Sequence, residues 1–121
     1  KVRVTGLDHT HYLDKVLGMS RHLQVGDVTI HGEVDRVYVD TTAETSIVDE
    51  ALARRIEIHK AHSSATVVWN PGSEKEQGFA DMKVGDYRRM LCVESGTAGG
   101  DLVTIPAGEA HTLSVEYRLV R

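Results

Sequence analysis

A chain of 121 residues is long enough for one domain around one hydrophobic core, and we expect a single folding unit over residues 1–121. Its 40% of hydrophobic and 26% of charged residues exclude a disordered or fibrous protein. The net charge of -4, without a run of Lys or Arg, argues against nucleic acid as a partner. No apolar stretch approaches the roughly 20 residues of a membrane helix, and the N-terminus lacks a secretory pattern. We therefore expect a cytoplasmic protein with no membrane partner.

Alternating apolar and polar residues predict β-strands along most of the chain. The clearest pattern, in residues 112–119, places four apolar side chains on one face of a half-buried strand: Leu113, Val115, Tyr117 and Leu119. Shorter apolar or β-branched runs predict further strands at residues 1–5, 37–39, 65–69, 90–93 and 102–105. Many short strands separated by turn formers predict an all-β sandwich or barrel.

Three connections between these strands show local signals. Gly26-Asp27 separates two apolar runs and suits a type II′ turn, which predicts a hairpin over residues 23–30. Residues 45–55 contain helix formers, but the alternation that follows favours two strands joined by a turn at residues 49–51. Residues 74–86 combine scattered charge with little periodicity, which predicts a long loop of the kind that is often functional.

Seven histidines and a single cysteine raise the question of a metal or nucleophilic site. His9 and His11 would share one face of a strand, but the sequence offers no third ligand, so we predict no metal site. Cys92 lies inside the apolar run 90–93, where a small thiol packs well, and a lone cysteine forms no internal disulfide. Neither feature requires a cofactor, and we expect none.

Two acidic residues are the remaining candidates for chemistry. Glu94 follows the apolar run 90–93 and precedes Ser95-Gly96, so we expect its carboxylate at a strand end, in a partial desolvation that suits a general base. Asp35 stands on a predicted strand whose Val34 faces the other way. From the residues alone, a solvated surface charge is the favoured interpretation for each of the two.

Several short motifs follow one another in a specific order. They are Val2-x-Val4-x-Gly6-Leu7 with Tyr12–Lys15, then Val34–Tyr38, Val67–Gly72, Ala80–Met82 and Met90–Glu94. In this combination they resemble the D-hexose-6-phosphate mutarotases, also called glucose-6-phosphate 1-epimerases. The resemblance implies a galactose-mutarotase-like antiparallel β-sandwich, of which this chain would be the C-terminal part. It also implies cofactor-free interconversion of the α and β anomers of a hexose 6-phosphate.

The resemblance carries roles onto particular residues. It implies that Glu94 is the base that deprotonates the anomeric hydroxyl and that Asp35 contacts sugar hydroxyls, with Trp69 and Asn70 as further substrate contacts. The histidine that protonates the ring oxygen in this family lies in a His-x-Tyr segment before the stretch that matches Lys1. The basic residues for the phosphate are likewise expected there. We therefore expect this chain to hold the base without its acid.

Two alternatives to an enzyme remain open from the sequence. A β-sandwich that keeps the sugar face without catalysis would be a carbohydrate-binding module. A structural half-sandwich would pair with another chain through exposed sheet edges, because unpaired edge strands present free N–H and C=O groups. The three hypotheses share the fold and differ in what binds to it.

Overall fold

The computed structural model describes all residues 1–121 and consists of two antiparallel five-stranded sheets. The strands are β1 Val2–Thr5, β2 His11–Asp14, β3 Ser20–Leu23, β4 Val28–Thr29, β5 Val34–Tyr38, β6 Thr45–Asp49, β7 Arg54–Ala61, β8 Ala65–Asn70, β9 Cys92–Gly96 and β10 Ser114–Val120. Sheet A has the order β10-β7-β6-β1-β4, and sheet B has the order β3-β2-β5-β8-β9. Helix is limited to α1, Gly72–Lys75, and to two 3₁₀ helices at Glu76–Gly78 and Asp86–Arg89. None of these helices has the length and hydropathy of a membrane span.

The core lies between the two sheets. Apart from Leu7, its members lie in strands and point to the side that faces the other sheet. They are Val4, Leu7, Tyr12, Val28, Val34, Tyr38, Ile58, Val68 and Val93. Full burial of a side chain of this size contributes roughly 1.5–3 kcal/mol. The all-β sandwich predicted from the sequence is therefore confirmed, with a core that both sheets share.

Polar groups also enter the space between the sheets, and each has a partner. The buried Tyr38 hydroxyl donates to Gln24 Oε1 at 2.7 Å, and burial raises the pKa of Tyr38 to about 12. Lys60 on β7 donates to Thr66 Oγ1 on β8 at 2.9 Å and so connects sheet A with sheet B. Burial lowers the pKa of Lys60. Because buried polar groups without partners are costly, these hydrogen bonds help to select one packing of the sheets.

Local patterns predicted several elements correctly. The two strands expected in residues 45–60 are β6 and β7, and they pair across a turn at residues 50–53, slightly later than the predicted turn at residues 49–51. The strands expected near residues 1–5, 37–39 and 65–69 are β1, β5 and β8. The loop expected over residues 74–86 contains no strand, but it includes the end of α1 and the 3₁₀ helix Glu76–Gly78, which the sequence did not predict.

Other local predictions are wrong, and each fails for a long-range reason. Residues 23–30 do not form a hairpin, because β3 lies in sheet B while β4 lies in sheet A and pairs with β1. Residues 102–105 form no strand, and Leu102 is 89% exposed, because no neighbouring strand lies alongside them. The strand expected at residues 90–93 begins only at Cys92 and continues to Gly96. Glu94 therefore lies inside β9 and not at its end.

The last strand is present but is not half-buried as expected. Tyr117 and Leu119 on β10 are 62% and 51% exposed, although they share a face with the buried Ile58 on β7. Strand β10 is the outermost strand of sheet A, and Val115 on the same face still packs against the core. An apolar strip and a free strand edge consequently lie side by side at this end of the sandwich.

Candidate functional site

The candidate site lies on the face of sheet B that points away from the core, here called the outer face. The strand register aligns Asp35 on β5 with Trp69 on β8, and Trp69 with Cys92 on β9. Directly opposed residues of neighbouring strands point to the same side of a sheet. Asp35, Trp69 and Cys92 thus form one row across three adjacent strands.

Glu94 stands in the next row of the outer face, opposite Val67, which in turn is opposite Val37. Two strand spacings of about 4.8 Å and an offset of two residues put the backbones of Glu94 and Asp35 about 12 Å apart. The Glu94 side chain is exposed, so the partial desolvation expected for it is not found. Burial raises the pKa of the neighbouring Cys92 thiol, and the charge of Glu94 raises it further.

Asp35 is the more buried of the two acids, with 13% of its side chain exposed. Its Oδ1 lies 3.6 Å from Lys15 Nζ, and the Lys15 backbone N–H donates to the Asp35 carbonyl at 2.9 Å. Lys15 directly follows β2, the strand that pairs with β5. The outer face therefore carries a cation beside Asp35 that sequence reasoning did not assign to the site. In the sequence, the one feature that pointed to Lys15 was its place in the motif Tyr12–Lys15.

Trp69 forms an aromatic corner with a residue of the connecting segment 72–90. The Phe79 ring lies 6.0 Å from the Trp69 ring at an angle of 85°, an edge-to-face arrangement. The indole is half-buried, so part of its surface remains accessible. Phe79 was not predicted as a site residue, because it lies ten residues away in a segment without periodicity.

Asn70, predicted as a substrate contact, lies on the opposite side of β8 from Trp69. Its side chain is buried, and its amide nitrogen donates to the carbonyls of Tyr87 and Met90 at 2.8 Å each. Its amide oxygen accepts the Gly72 N–H at 2.9 Å. The structure thus brings Asp35, Trp69 and Glu94 to one face. Asn70 points away from that face, and its hydrogen bonds connect the two ends of segment 72–90.

A second loop covers part of the outer face. Gly99, with φ +62°, lies directly on the side chains of Leu13, Val37 and Val39, so closely that a Cβ there would meet Val39 Cγ1 at 2.8 Å. A larger residue would therefore push the loop off the sheet. Of the three candidate residues on the outer face, Glu94 is exposed, Trp69 is half-buried and Asp35 is largely covered.

This arrangement can perform a limited chemistry. Two carboxylates can accept protons or hydrogen bonds from hydroxyl groups, Lys15 can offset one negative charge, and the indole can contact an apolar ring face. No group of three or more His, Cys, Asp or Glu side chains is arranged to hold a metal ion. The side chains present fit a polyhydroxylated ligand with an apolar face, such as a sugar ring.

Comparison with known proteins gives consistent results. The family model for aldose 1-epimerase matches residues 1–118. A "Putative glucose-6-phosphate 1-epimerase" of Cenchrus ciliaris is 31% identical over 110 residues, which are 90% of this chain and 33% of that protein. A protein of Escherichia coli K12 with the same name is 35% identical over 99 residues, 81% of this chain and 33% of that protein.

Solved structures agree with the sandwich. The crystal structure of HI1317 superposes with a TM-score of 0.81 at 28% identity and covers 98% of this chain and 40% of that one. The crystal structure of a "putative mutarotase (YeaD)" from Salmonella typhimurium gives a TM-score of 0.72 at 33% identity, over 78% of this chain and 32% of that one. The chain thus spans about a third of the length of the curated relatives it matches.

Proposed function

Because this chain belongs to the aldose 1-epimerase family, we propose that it supplies the base-bearing part of a mutarotase for hexose 6-phosphates. The reaction would interconvert the α and β anomers of a sugar such as glucose 6-phosphate. The names of the relatives from Cenchrus ciliaris and Escherichia coli support this substrate class. A phosphorylated hexose is charged and crosses membranes poorly, so we further propose a cytoplasmic location.

One observation carries the proposal: Asp35, Trp69 and Glu94 project from the same face of three adjacent strands. A separation of about 12 Å between the backbones of the two acids leaves room for a sugar ring between their side chains. In this arrangement Glu94 would reach the anomeric hydroxyl, Asp35 would accept hydrogen bonds from other hydroxyls, and Trp69 would lie against the apolar side of the ring.

The proposed reaction is general acid–base catalysis without a covalent intermediate. Glu94 accepts the proton of the anomeric hydroxyl while the bond between C1 and the ring oxygen breaks, and the ring oxygen takes up a proton from an acid. Rotation about the C1–C2 bond then presents the other face of the aldehyde. Reversal of both proton transfers closes the ring, so that protons balance over the cycle.

The acid in this scheme is proposed to lie outside these 121 residues. His11 is on the outer face, but β2 is three strands away from β9, and the loop at Gly99 lies between His11 and Glu94. A chain that spans a third of its relatives is consistent with an acid supplied by further polypeptide. We assign the principal phosphate-binding cations to the same polypeptide. In this view residues 1–121 form the C-terminal part of the complete sandwich.

The apolar strip on β10 is the surface that we propose for that polypeptide. Tyr117 and Leu119 are more than half exposed on the core-facing side of sheet A, and the outer edge of β10 has no strand beside it. A further strand that paired with this edge would satisfy its backbone groups and cover both side chains. Without such a partner the strip would stay in water.

A carbohydrate-binding module without catalysis is the second candidate. The exposure of Glu94 favours it, because a carboxylate in water lacks the tuned environment of most catalytic bases. The two candidates share the binding face and differ in turnover. Sugar binding without faster anomer exchange would select this alternative.

The test follows anomer exchange of glucose 6-phosphate by NMR exchange spectroscopy. The 121-residue chain is measured alone and after co-purification with the part of the Escherichia coli relative that it does not match. We expect binding by the chain alone and faster exchange by the co-purified pair. A pair that forms without accelerating exchange contradicts the enzymatic proposal, and a chain that binds no sugar phosphate contradicts both candidates.

A further inference from the structure

Glu76 is a buried carboxylate in an otherwise exposed segment. Its side chain is 2% exposed, while Lys75 and Gln77 on either side are open to solvent. Burial of a charged carboxylate is costly unless hydrogen bonds replace its water. No step of the proposed reaction uses Glu76, so its burial needs another explanation.

Both carboxylate oxygens of Glu76 are engaged by the backbone farther along the same segment. Oε1 accepts the Gly85 N–H at 2.8 Å, and Oε2 accepts the Tyr87 N–H at 3.0 Å. Gly85 has φ +94°, a conformation that favours glycine and that turns its N–H toward the carboxylate. Glu76 thus holds the second half of segment 72–90 against the first.

The anchored segment also carries Phe79, which contacts Trp69 on the outer face. The Phe79 backbone N–H donates to the Glu76 carbonyl at 3.0 Å, which places the Phe79 ring relative to the anchor. That ring packs edge-to-face with Trp69, whose indole forms part of the candidate sugar face. Glu76 thus contacts Gly85 and Tyr87 through its carboxylate and Phe79 through its main-chain carbonyl, and Phe79 in turn contacts Trp69.

We propose that Glu76 is a positioning residue that sets the sugar-binding surface by holding Phe79 against Trp69. The ligand class is a pyranose sugar whose apolar face packs on the indole, and this last step rests on the proposed function. Glu76 itself does not touch the ligand. It fixes one wall of the binding face, while Asp35 and Glu94 supply the polar contacts.

The substitution Glu76→Gln tests the anchor with almost no change in size. The amide nitrogen of glutamine takes the place of one carboxylate oxygen and cannot accept, so in the observed geometry one of the two N–H groups loses its acceptor. We expect amide hydrogen exchange at Gly85 and Tyr87 to become about tenfold faster. Trp69 is the only tryptophan, so acrylamide quenching of its fluorescence reports directly on the wall and should increase.

Glu74→Gln is the matched control, because Glu74 lies two residues away in the same segment with an exposed side chain. It should leave exchange and quenching at the wild-type level. Phe79→Leu provides a second variant, which should increase Trp69 quenching while Gly85 and Tyr87 exchange as in the wild type. Circular dichroism confirms that each variant keeps its strands.

Binding of glucose 6-phosphate completes the test. We expect Glu76→Gln to weaken binding about tenfold and Glu74→Gln to leave it unchanged. Wild-type quenching and exchange in Glu76→Gln would overturn the anchor, and unchanged sugar affinity with a loosened Trp69 would overturn its role in binding. If the wild type itself binds no sugar phosphate, the proposed function fails, and the quenching and exchange results alone decide whether Glu76 holds the wall.

Discussion

The two faces of sheet B are built from the same strands and behave differently. On the inner face, Tyr38 and Val68 are fully buried and Val93 is 7% exposed. On the outer face, Trp69 is half-buried and Glu94 is exposed. Because side chains alternate along a strand, neighbouring residues in β8 and β9 belong to different environments. In β5 the loop at Gly99 also buries the outer-face residue Val37.

The difference separates stability from function within single strands. Inner-face side chains pack against sheet A, so their truncation should lower the free energy of unfolding. Outer-face polar side chains make few contacts that folding requires, so their substitution should change ligand binding or turnover at nearly constant stability. The predictions below follow from this division.

The largest effect is expected for Glu94→Gln in the pair formed with the unmatched part of the Escherichia coli relative. Loss of a general base should lower the anomer exchange rate about 10²- to 10⁴-fold, measured by NMR exchange spectroscopy. Glu109→Gln, the same change at an exposed position outside β10 and outside sheet B, should leave the rate unaltered. Wild-type exchange in Glu94→Gln would remove Glu94 from the mechanism.

The next effect contrasts adjacent residues of β8. Val68→Ala should lower the free energy of unfolding by about 2 kcal/mol, because it leaves a cavity between the sheets. Val67→Ala, on the outer face, should lower it by less than about 1 kcal/mol. Urea unfolding with both variants measures the contrast. Equal losses would show that the two faces of β8 are packed alike.

Asp35→Asn should have a smaller effect, which we expect in the affinity for the sugar and not in the free energy of unfolding. A neutral amide accepts weaker hydrogen bonds from sugar hydroxyls, so affinity for glucose 6-phosphate should fall about tenfold by titration. The free energy of unfolding should change by no more than about 1 kcal/mol, since the Lys15 pair is partly exposed. A loss of stability without a loss of affinity would reassign Asp35 to the fold.

The smallest effect concerns the outer face of sheet A, which carries ion pairs instead of a site. The hydrogen bond with Glu44, at 2.7 Å, is the main cause that raises the pKa of His59 above 6.5. A raised folded-state pKa stabilises the fold below the unfolded-state pKa, and this stabilisation is lost as pH rises through the folded-state pKa. Glu44→Gln should therefore slightly lower Tm at about pH 5.5 and leave it unchanged at about pH 9. An equal change at both pH values would contradict an ionic origin.

Alternation along the chain predicts most strands, but not what lies beside or above them. The predicted hairpin at Gly26-Asp27 fails because a turn signal is local, whereas β4 finds its partner in β1. The predicted burial of Tyr117 and Leu119 fails because burial depends on what packs over the outermost strand.

The candidate site, too, could be predicted from the sequence only where local pattern decides the position of a residue. The motif resemblance singles out Asp35, Trp69 and Glu94, and the register brings them to one face. Asn70 follows Trp69 directly, so alternation alone already predicts that the two point to opposite sides of β8. No sequence signal reveals Glu76 or Phe79, because their positions depend on a fold of segment 72–90 that has no period.

The most direct test of the central claim locates the sugar on the protein. Nuclear Overhauser effects between the ring protons of glucose 6-phosphate and aromatic side chains of the 121-residue chain distinguish the two faces of sheet B. A ligand on the outer face should give contacts to the indole of Trp69 and none to Tyr12 or Tyr38 on the inner face. Contacts to those tyrosines without contacts to Trp69 would contradict the account.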